Sequence, residues 1–291
     1  MSVIENRTVV ITGAGHGIGA ALAHEAANRG ASLVLVCDID AAAATSVAEL
    51  IGERAEARTI DVTDTAGVFA LADEAVKDFG VPGLVCANAG VAPAQGPTLD
   101  LDLTDARWVM EVNTLGVLAT LQAFGRPMAN TDDRSCLLAT ASEHGLGRPH
   151  PGLGIYTASK HAIVGMCDVM RTELPAHMGL SVLCPGLTQT DFANAQTRRT
   201  EPFGGAGEPN PMGAMLLARG MPASVVASRA LDGVEAGQFL IATHYNALGY
   251  ATSRYEEVAA AFERLAEIDT TNWDVGDVLE GMLNDQNPPD A

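Results

Sequence analysis

Short apolar runs that alternate with longer helical segments are the feature that most constrains the fold of this chain. The runs are nearly continuous in β-branched and other apolar residues, a pattern typical of strands buried on both faces of a parallel sheet. They are TVVIT (8–12), SLVLVC (32–37), ARTI (57–60), GLVCA (83–87), SCLLAT (135–140), LSVLC (180–184) and QFLIAT (238–243). The segments between most of them are rich in alanine and have helical spacing, as the crossovers between parallel strands require.

The intervening segments predict helices over residues 17–29, 40–52, 64–79, 104–129 and 155–178. Right-handed crossovers of this kind build an α/β fold, a doubly wound parallel sheet of about seven strands in a three-layer α/β/α sandwich. A chain of 291 residues can still fold around one core. We therefore predict a single catalytic domain over residues 1–267 and an acidic tail over residues 268–291.

The charge balance limits the partners of the protein. Asp and Glu number 36 and Lys and Arg number 17, so the net charge is −19. A nucleic-acid-binding protein needs a basic surface, and an anionic membrane surface repels an acidic chain. We therefore expect a small-molecule substrate and neither a nucleic-acid nor a membrane partner.

Targeting and cysteine patterns favour a cytoplasmic location. The first residues lack the basic stretch and apolar core of a signal peptide, and no run approaches 18 uninterrupted apolar residues. The five cysteines form no CxxC pair, and most lie in or beside apolar runs. This pattern favours small buried side chains in a reducing compartment over a metal or redox site. We expect no bound metal.

Residues 192–222 depart from the strand–helix alternation. The stretch FGGAGEPNP alone holds five glycines and prolines, and Met212, Met215 and Met221 follow or flank it. Long loops within compact domains are usually functional, and methionines adapt to apolar ligands. We interpret the segment as a substrate loop, with a merely exposed loop as the alternative.

A glycine-rich loop follows the first predicted strand. It reads Thr12-Gly13-Ala14-Gly15-His16-Gly17-Ile18-Gly19, and the next helix begins at about Gly17. Glycines let the backbone approach a pyrophosphate closely, and a helix N-terminus offers unpaired N–H groups and a partial positive charge. The spacing is neither GxGxxG nor that of a P-loop. The order of strand, loop and helix nevertheless predicts a dinucleotide site.

The second strand ends in Asp38, about 20 residues after Gly19. A carboxylate at this position accepts hydrogen bonds from both ribose hydroxyls of an adenosine and repels a 2′-phosphate. No Lys or Arg follows nearby, and the glycine loop supplies no fixed cation. NAD is therefore favoured over NADP. The alternative for Asp38 is a helix N-cap, a role that Asp40 can also fill.

A tyrosine and a lysine lie four residues apart in Tyr156-Thr157-Ala158-Ser159-Lys160. Residues at i and i+4 share one face of a helix. Free phenol, with a pKa of about 10, is a poor base at neutral pH, and a nearby ammonium lowers that pKa by favouring the phenolate. Ser142 ends the preceding strand, where its hydroxyl can hold a substrate oxygen while Tyr156 moves the proton.

Taken together, these residues resemble the short-chain dehydrogenase/reductase family. The resemblance covers about residues 7–192 and rests on motifs in family order: TGAGHGIG (12–19), Asp38, Asp61-Val62, Asn88-Ala89-Gly90, Asn113, Ser142, Tyr156-x-x-x-Lys160 and Pro185-Gly186-x-x-x-Thr190. It implies a Rossmann fold and reversible hydride transfer between NAD(P) and an alcohol or carbonyl.

The resemblance also implies residue roles. Tyr156 is the acid–base, Ser142 positions the substrate oxygen, and Lys160 binds the nicotinamide ribose and tunes Tyr156. Asn113 would hold a water in a proton relay, which completes the catalytic set. The implied cofactor-binding residues are Gly13, Gly15, His16, Gly17 and Ile18 at the pyrophosphate, Asp38, Asp61, Val62, Asn88 and Gly90 at the adenosine, and Tyr156, Lys160, Gly186, Thr188 and Thr190 at the nicotinamide end.

We therefore expect an NAD-dependent oxidoreductase that acts on a hydrophobic secondary alcohol. A carbonyl reductase working mainly in the other direction is an alternative, because equilibrium and cofactor ratio set the direction. A non-catalytic NAD-sensing regulator on the same fold is a second alternative, although Ser142, Tyr156 and Lys160 are all present. Two long helical segments with much apolar surface, together with the resemblance, predict a homodimer or homotetramer.

Overall fold

The computed structural model describes residues 2–93, 95–147 and 150–266, together with Gly276 and Met282. Strands and helices alternate through most of this part of the chain. The strands are β1 (Thr8–Thr12), β2 (Leu33–Asp38), β3 (Ala55–Thr59), β4 (Leu84–Ala87), β5 (Ser135–Thr140), β6 (Met178–Cys184), β7 (Thr188–Gln189), β8 (Met221–Pro222) and β9 (Leu240–Ala242). The α-helices are α1 (Gly17–Asn28), α2 (Ala41–Ile51), α3 (Thr65–Phe79), α4 (Leu103–Met110), α5 (Val117–Ala129), α6 (Gly154–Glu173), α7 (Pro211–Leu217), α8 (Ala223–Glu235) and α9 (Ala247–Ala266).

Seven of the strands form one parallel sheet in the order β3-β2-β1-β4-β5-β6-β9. All its pairings are parallel, and the register aligns Thr12 with Cys37 and Ile11 with Cys86. The predicted seven-stranded parallel sheet is thereby confirmed. The strand order reverses between β1 and β4, and in open α/β sheets a ligand crevice forms at the carboxyl ends of such neighbouring strands.

Two buried clusters cover the two faces of the sheet. Successive side chains of a strand point to opposite faces, so Val9 and Ile11 of β1 pack with α1, α2 and α8, whereas Val10 packs with α3, α5 and α6. Buried strand residues on both faces explain why the runs read as continuous rather than alternating. The three-layer α/β/α sandwich predicted from the sequence is the observed architecture.

The single helix predicted over 104–129 is interrupted. A π-helical segment, Glu111–Gly116, separates α4 from α5. Gly116 lies directly against Val62, since a Cβ there would come 2.7 Å from a Val62 methyl carbon. The helical spacing of apolar residues continues through this segment, so the sequence pattern does not show the change from α-helix to π-helix. Single-turn π bulges of this kind are frequent at functional sites.

The predicted substrate loop over 192–222 is more ordered than its glycine and proline content indicates. It contains 3₁₀ turns at Phe192–Arg198 and Glu201–Phe203, followed by α7 and β8. The side chain of Asn210 caps α7 by accepting from the Gly213 N–H, and β8 pairs with β7 in a second small sheet. Local caps and strand pairing therefore structure a segment that hydropathy alone leaves as a loop.

The chain divides into two compact units, Met1–Tyr250 and Ala251–Ala291. The first unit contains the whole seven-stranded sheet. The predicted boundary at residue 267 stays a prediction, because the acidic tail over 268–291 lies outside the described residues apart from Gly276 and Met282. Across the described part of the chain, no helix has the length and apolar character needed to cross a membrane.

All five cysteines are buried and free, as the sequence pattern predicts. Desolvation raises the pKa of the Cys37 and Cys184 thiols to about 12. Thiols with such pKa values are poor nucleophiles and poor metal ligands at neutral pH. No group of three or more potential metal ligands occurs among the residues that the structure describes.

Candidate active site

A cleft of ≈ 640 Å³ opens at the carboxyl ends of the central strands. It brings together residues from the loops after β1, β2, β4, β5 and β6, which are far apart in sequence. The predicted site residues that line it are Gly13, His16, Gly17, Ile18, Asp38, Asp61, Val62, Asn88, Gly90, Ser142, Tyr156, Lys160, Gly186, Thr188 and Thr190. Gly15 and Asn113 do not line the cleft, but each hydrogen-bonds to a residue that does, Gly15 to Asp38 and Asn113 to Val91.

The glycines of the β1–α1 loop form a cradle with no room for side chains at their own positions. Gly13 and Gly17 have φ of 64° and 52°, in the left-handed region that favours glycine. A Cβ on Gly19 would overlap the Gly13 carbonyl oxygen. His16 occupies the N-cap position of α1 without a side-chain cap, so first-turn N–H groups remain available for anionic oxygens. The cradle therefore fits the pyrophosphate of a dinucleotide.

His16 itself lies between two carboxylates. Its Nε2 is 3.1 Å from Asp40 Oδ2, and its Nδ1 is 3.3 Å from Asp191 Oδ2. Asp191 also accepts a hydrogen bond from Arg198 at 2.9 Å. The imidazole therefore joins the glycine loop to the segment after β7, at the rim of the cleft.

The Asp38 carboxylate is held by two backbone donors. Its Oδ2 accepts from the Gly15 N–H at 2.8 Å and its Oδ1 from the Asp40 N–H at 2.9 Å. The N-cap of α2 is Asp40, whose Oδ1 accepts from the Ala43 N–H at 3.1 Å. The alternative role of Asp38 as a helix cap is therefore wrong, and its carboxylate faces the cleft.

Asn88 connects three strand ends. Its side-chain amide donates to the Thr12 and Gly13 carbonyls at 3.1 and 3.3 Å, and its Oδ1 accepts from Thr140 Oγ1 at 3.1 Å. Gly90 lies beside the Lys160 ammonium, since a Cβ on Gly90 would come 3.4 Å from Nζ. These contacts give Asn88 a bracing role as well as a place in the lining.

Asn113 lies beneath the cleft, fully buried in the π-helical segment. Its carboxamide accepts from the Val91 N–H at 2.7 Å and donates to the Val91 carbonyl at 2.9 Å and to Ser159 Oγ at 3.0 Å. The side chain thus ties the loop after β4 to α6, next to Lys160. The water-holding role that the resemblance implies for Asn113 stays a prediction.

Tyr156 and Lys160 lie one turn apart on α6, facing Ser142 at the end of β5. The Ser142 hydroxyl accepts from the His144 N–H at 3.2 Å and lines the same cleft as Tyr156. Lys160 Nζ donates to the Thr140 carbonyl at 2.9 Å and lies 5.7 Å from the centroid of the Tyr156 ring. Lys160 is only 2% exposed, so its position is determined by burial and this hydrogen bond.

Burial moves the pKa values of this pair in opposite directions. It raises the pKa of Tyr156 to about 12 and lowers the pKa of Lys160 to about 8. The hydrogen bond from Ser142 opposes the rise for Tyr156, while the nearby Glu143 carboxylate adds to it. Desolvation therefore outweighs the lowering of the phenol pKa that the sequence predicts from a neighbouring ammonium.

Aromatic rings surround Tyr156. His144 meets the Tyr156 ring edge-on at 5.2 Å and shares a hydrogen bond of 2.8 Å with Thr157 Oγ1. Phe192 lies 5.8 Å from the same ring. No motif marked Phe192 as a site residue, because its contact depends on how the segment after β7 folds back over α6.

The substrate loop contributes side chains other than those expected. Leu216 and Leu217 of α7 line the cleft, together with Asn210 and Gly213. Met212 and Met215 do not line it and are 76% and 59% exposed. The expectation that methionines of this loop contact an apolar ligand therefore stays a prediction, and the apolar side chains of α7 that line the cleft are those of the two leucines.

Most of this chain matches a family of known proteins: the family described as short chain dehydrogenase matches residues 7–201. The chain belongs to the short-chain dehydrogenase family. This family member is 29% identical over 266 residues to the CLA biosynthesis dehydrogenase/reductase of Lactiplantibacillus plantarum, a match covering 85% of this chain and 92% of that protein.

Two further relatives agree with this assignment. The 1-deoxy-11-beta-hydroxypentalenate dehydrogenase of Streptomyces exfoliatus is 35% identical over 199 residues, covering 67% of this chain and 72% of that one. A short chain dehydrogenase/reductase from Burkholderia phymatum, solved in complex with NAD, superposes with a TM-score of 0.84 at 30% identity and covers 90% and 97% of the two chains. This short-chain dehydrogenase is thus an oxidoreductase of CH–OH and C=O groups.

The pKa values of Tyr156 and Lys160 predict how the reaction depends on pH. With the acid–base role that the resemblance implies for Tyr156, alcohol oxidation requires its phenolate, and a pKa of about 12 keeps the phenol protonated at neutral pH. We expect kcat/KM for alcohol oxidation at saturating cofactor to rise from pH 7, approaching about ten-fold per unit. The slope should lessen above pH about 8, where Lys160 loses its proton. With the same role, carbonyl reduction needs the phenol, so its kcat/KM should not rise over this range. Oxidation that instead slows between pH 7 and 9 would assign the base to another group.

Proposed function

We propose that the protein is an NAD-dependent dehydrogenase of a hydrophobic secondary alcohol, with Tyr156 as the acid–base. The observation that carries this proposal is the convergence of Ser142, Tyr156 and Lys160 at one end of a cleft whose other end is a glycine cradle. That arrangement brings a proton acceptor and a dinucleotide site to the same opening.

The chain's own residues account for the proton movement. Ser142 holds the substrate oxygen by a hydrogen bond, and Tyr156 receives the hydroxyl proton as oxidation proceeds. The Lys160 ammonium, anchored on the Thr140 carbonyl, stabilises the phenolate that must form first. The nicotinamide supplies the hydride acceptor when the cofactor is bound. In the reverse direction Tyr156 returns the same proton to a carbonyl oxygen.

Two observations support a hydrophobic substrate. The cleft that Tyr156 lines also carries apolar side chains, among them Leu153, Phe192, Leu216 and Leu217. The relatives include a CLA biosynthesis dehydrogenase/reductase and a hydroxypentalenate dehydrogenase. We infer a substrate with a secondary hydroxyl on an apolar skeleton, rather than a free sugar.

Replacing Tyr156 tests the acid–base assignment. We expect Tyr156→Phe to abolish turnover of the best alcohol found in a panel of aliphatic, aromatic, steroid and sugar alcohols, while NADH still binds. The proton acceptor is lost but the cradle is untouched, and removal of such a group costs about 10²–10⁴-fold. Absorbance of NADH follows turnover, and its fluorescence follows binding. The matched control is Tyr255→Phe, on an exposed side chain of α9. Turnover that survives Tyr156→Phe would refute the mechanism.

We also propose NAD rather than NADP as the cofactor. Asp38 is 6% exposed, and its carboxylate is fixed toward the adenosine end by the Gly15 and Asp40 N–H groups. A 2′-phosphate brought against it would meet a like charge with little water to screen it, at a cost of several kcal/mol.

The cofactor preference gives a direct test. We expect kcat/KM for NAD to exceed that for NADP by about 100-fold or more in the wild type, since each 1.4 kcal/mol is ten-fold. Asp38→Asn should narrow this ratio by at least about ten-fold, whereas Asp73→Asn, an exposed change on α3, should leave it unchanged. Equal use of both cofactors by the wild type would contradict the assignment.

We further infer that the chain assembles with itself and acts in the cytoplasm. Leu115 and Val169, on the π-helical segment and α6, are 49% and 59% exposed, which supports a partner surface. Free buried cysteines support a reducing compartment. We expect light scattering after gel filtration to give two or four times the chain mass of 30.1 kDa. A single species at the chain mass would contradict the predicted homodimer or homotetramer.

A further inference from the structure

His244 lies beside the segment that follows β6, although no motif marked it. It comes after β9, whose carboxyl end is next to that of β6 in the sheet. The Gly186 N–H donates to His244 Nδ1 at 3.0 Å, and His244 Nε2 lies 3.0 Å from the Leu187 carbonyl oxygen. The ring therefore contacts two consecutive residues of the segment expected to meet the nicotinamide end.

The hydrogen bonds identify the charge and tautomer of His244. A backbone N–H only donates, so Nδ1 must accept from Gly186 and cannot carry a proton. A carbonyl oxygen only accepts, so Nε2 must carry the proton and donate to Leu187. The imidazole is therefore neutral, with its hydrogen on Nε2. A second proton on Nδ1 would face the Gly186 N–H and break that bond.

The surroundings hold the ring in this position. Thr243 Oγ1 lies 2.8 Å from His244 Nδ1, and Arg229 of α8 donates to the Thr243 carbonyl. The Leu187 carbonyl also accepts from the Met221 N–H at 2.9 Å, so β8 and His244 share one acceptor. The Leu187 carbonyl thus bonds the segment after β6 both to β8 and to His244.

Gly186 fits closely between His244 and the Glu143 side chain. A Cβ on Gly186 would come 2.8 Å from His244 Cγ and 2.9 Å from Glu143 Oε2. Two charged groups lie close to this arrangement: the Glu143 carboxylate beside Gly186, and the Arg229 guanidinium that donates to the Thr243 carbonyl. The His244 ring and the Glu143 side chain therefore both lie directly against the Gly186 residue.

We propose that His244 is a positioning residue: as a neutral imidazole it holds residues 185–190 in the shape that binds the nicotinamide end of the cofactor. Protonation of His244 releases the Gly186 N–H and weakens cofactor binding. This inference rests on the proposed function, because it assumes that a nicotinamide dinucleotide occupies the cleft.

The test measures NADH binding directly, by fluorescence titration of the full chain at pH 8 and pH 5.5, without turnover. We expect the wild-type Kd to rise at least about five-fold at the lower pH. His244→Leu removes both hydrogen bonds from a site of similar size. Its Kd should be about ten- to thirty-fold above wild type at pH 8, since each bond contributes about 1 kcal/mol.

The variant His244→Asn keeps a hydrogen-bond acceptor for the Gly186 N–H but cannot become positively charged. An asparagine carboxamide oxygen can take the place of Nδ1 and accept from Gly186, but it does not gain a proton in this range. We expect this variant to bind NADH within about five-fold of wild type at pH 8 and to lose most of the wild-type rise in Kd at pH 5.5. The control His177→Asn changes a histidine at the amino end of β6, bonded to the Met128 carbonyl, and should retain the wild-type pH dependence.

Two results would overturn the positioning role. One is a His244→Leu protein that binds NADH within two-fold of wild type, and the other is a His244→Asn protein whose Kd rises between pH 8 and pH 5.5 as much as that of wild type. Circular dichroism at both pH values checks that each variant is folded. If His244→Leu does not fold, the pH profile of His244→Asn decides alone.

A wild-type protein that binds no NADH would refute the proposed cofactor, and the role of His244 with it. A wild type that binds NADH without these His244 effects would refute the positioning role alone.

Discussion

The close approach of the β1–α1 loop to the loop after β4 is the contact on which the rest of the site depends. A Cβ on Gly13 would come 2.8 Å from the Ala89 backbone, and a Cβ on Gly19 would overlap the Gly13 carbonyl. Only glycines allow the turn to close this far, and Asn88 then bonds across it to the Thr12 and Gly13 carbonyls. The first turn of α1 is thereby fixed over the sheet edge, where it presents its N–H groups to the cleft.

Burial decides the electrostatics at the other end of the cleft. Tyr156 and Lys160 are both moved by desolvation toward their neutral forms, one with a raised and one with a lowered pKa. Such a pair is easily shifted by a new charge, because little water is present to screen it. In the proposed function, a bound cationic nicotinamide would favour the Tyr156 phenolate, and cofactor binding would then prepare the site for proton transfer.

Much of this molecule follows from patterns that a single sequence displays. Continuous apolar runs predicted a parallel sheet because both faces are buried, and the glycine spacing predicted a tight turn before α1. Most of the predicted site residues line one cleft because parallel strands place their carboxyl ends at one edge. The break at Glu111–Gly116 was missed, since the contacts that set it, with Val62 and Val91, come from distant segments.

The sequence by itself determined the alternation of strands and helices along the chain and the glycine turn before α1. It also determined the placement of Tyr156 and Lys160 on one face of a helix and of Asp38 at the end of the second strand. All of these depend on short-range backbone geometry or on helical and strand periods. Only the tertiary structure decided that Leu216 and Leu217 rather than the methionines line the cleft, that burial outweighs the ammonium in setting the pKa of Tyr156, and that His244 contacts Gly186. Those outcomes depend on which surfaces meet and how much water they exclude, and no local pattern carries that information.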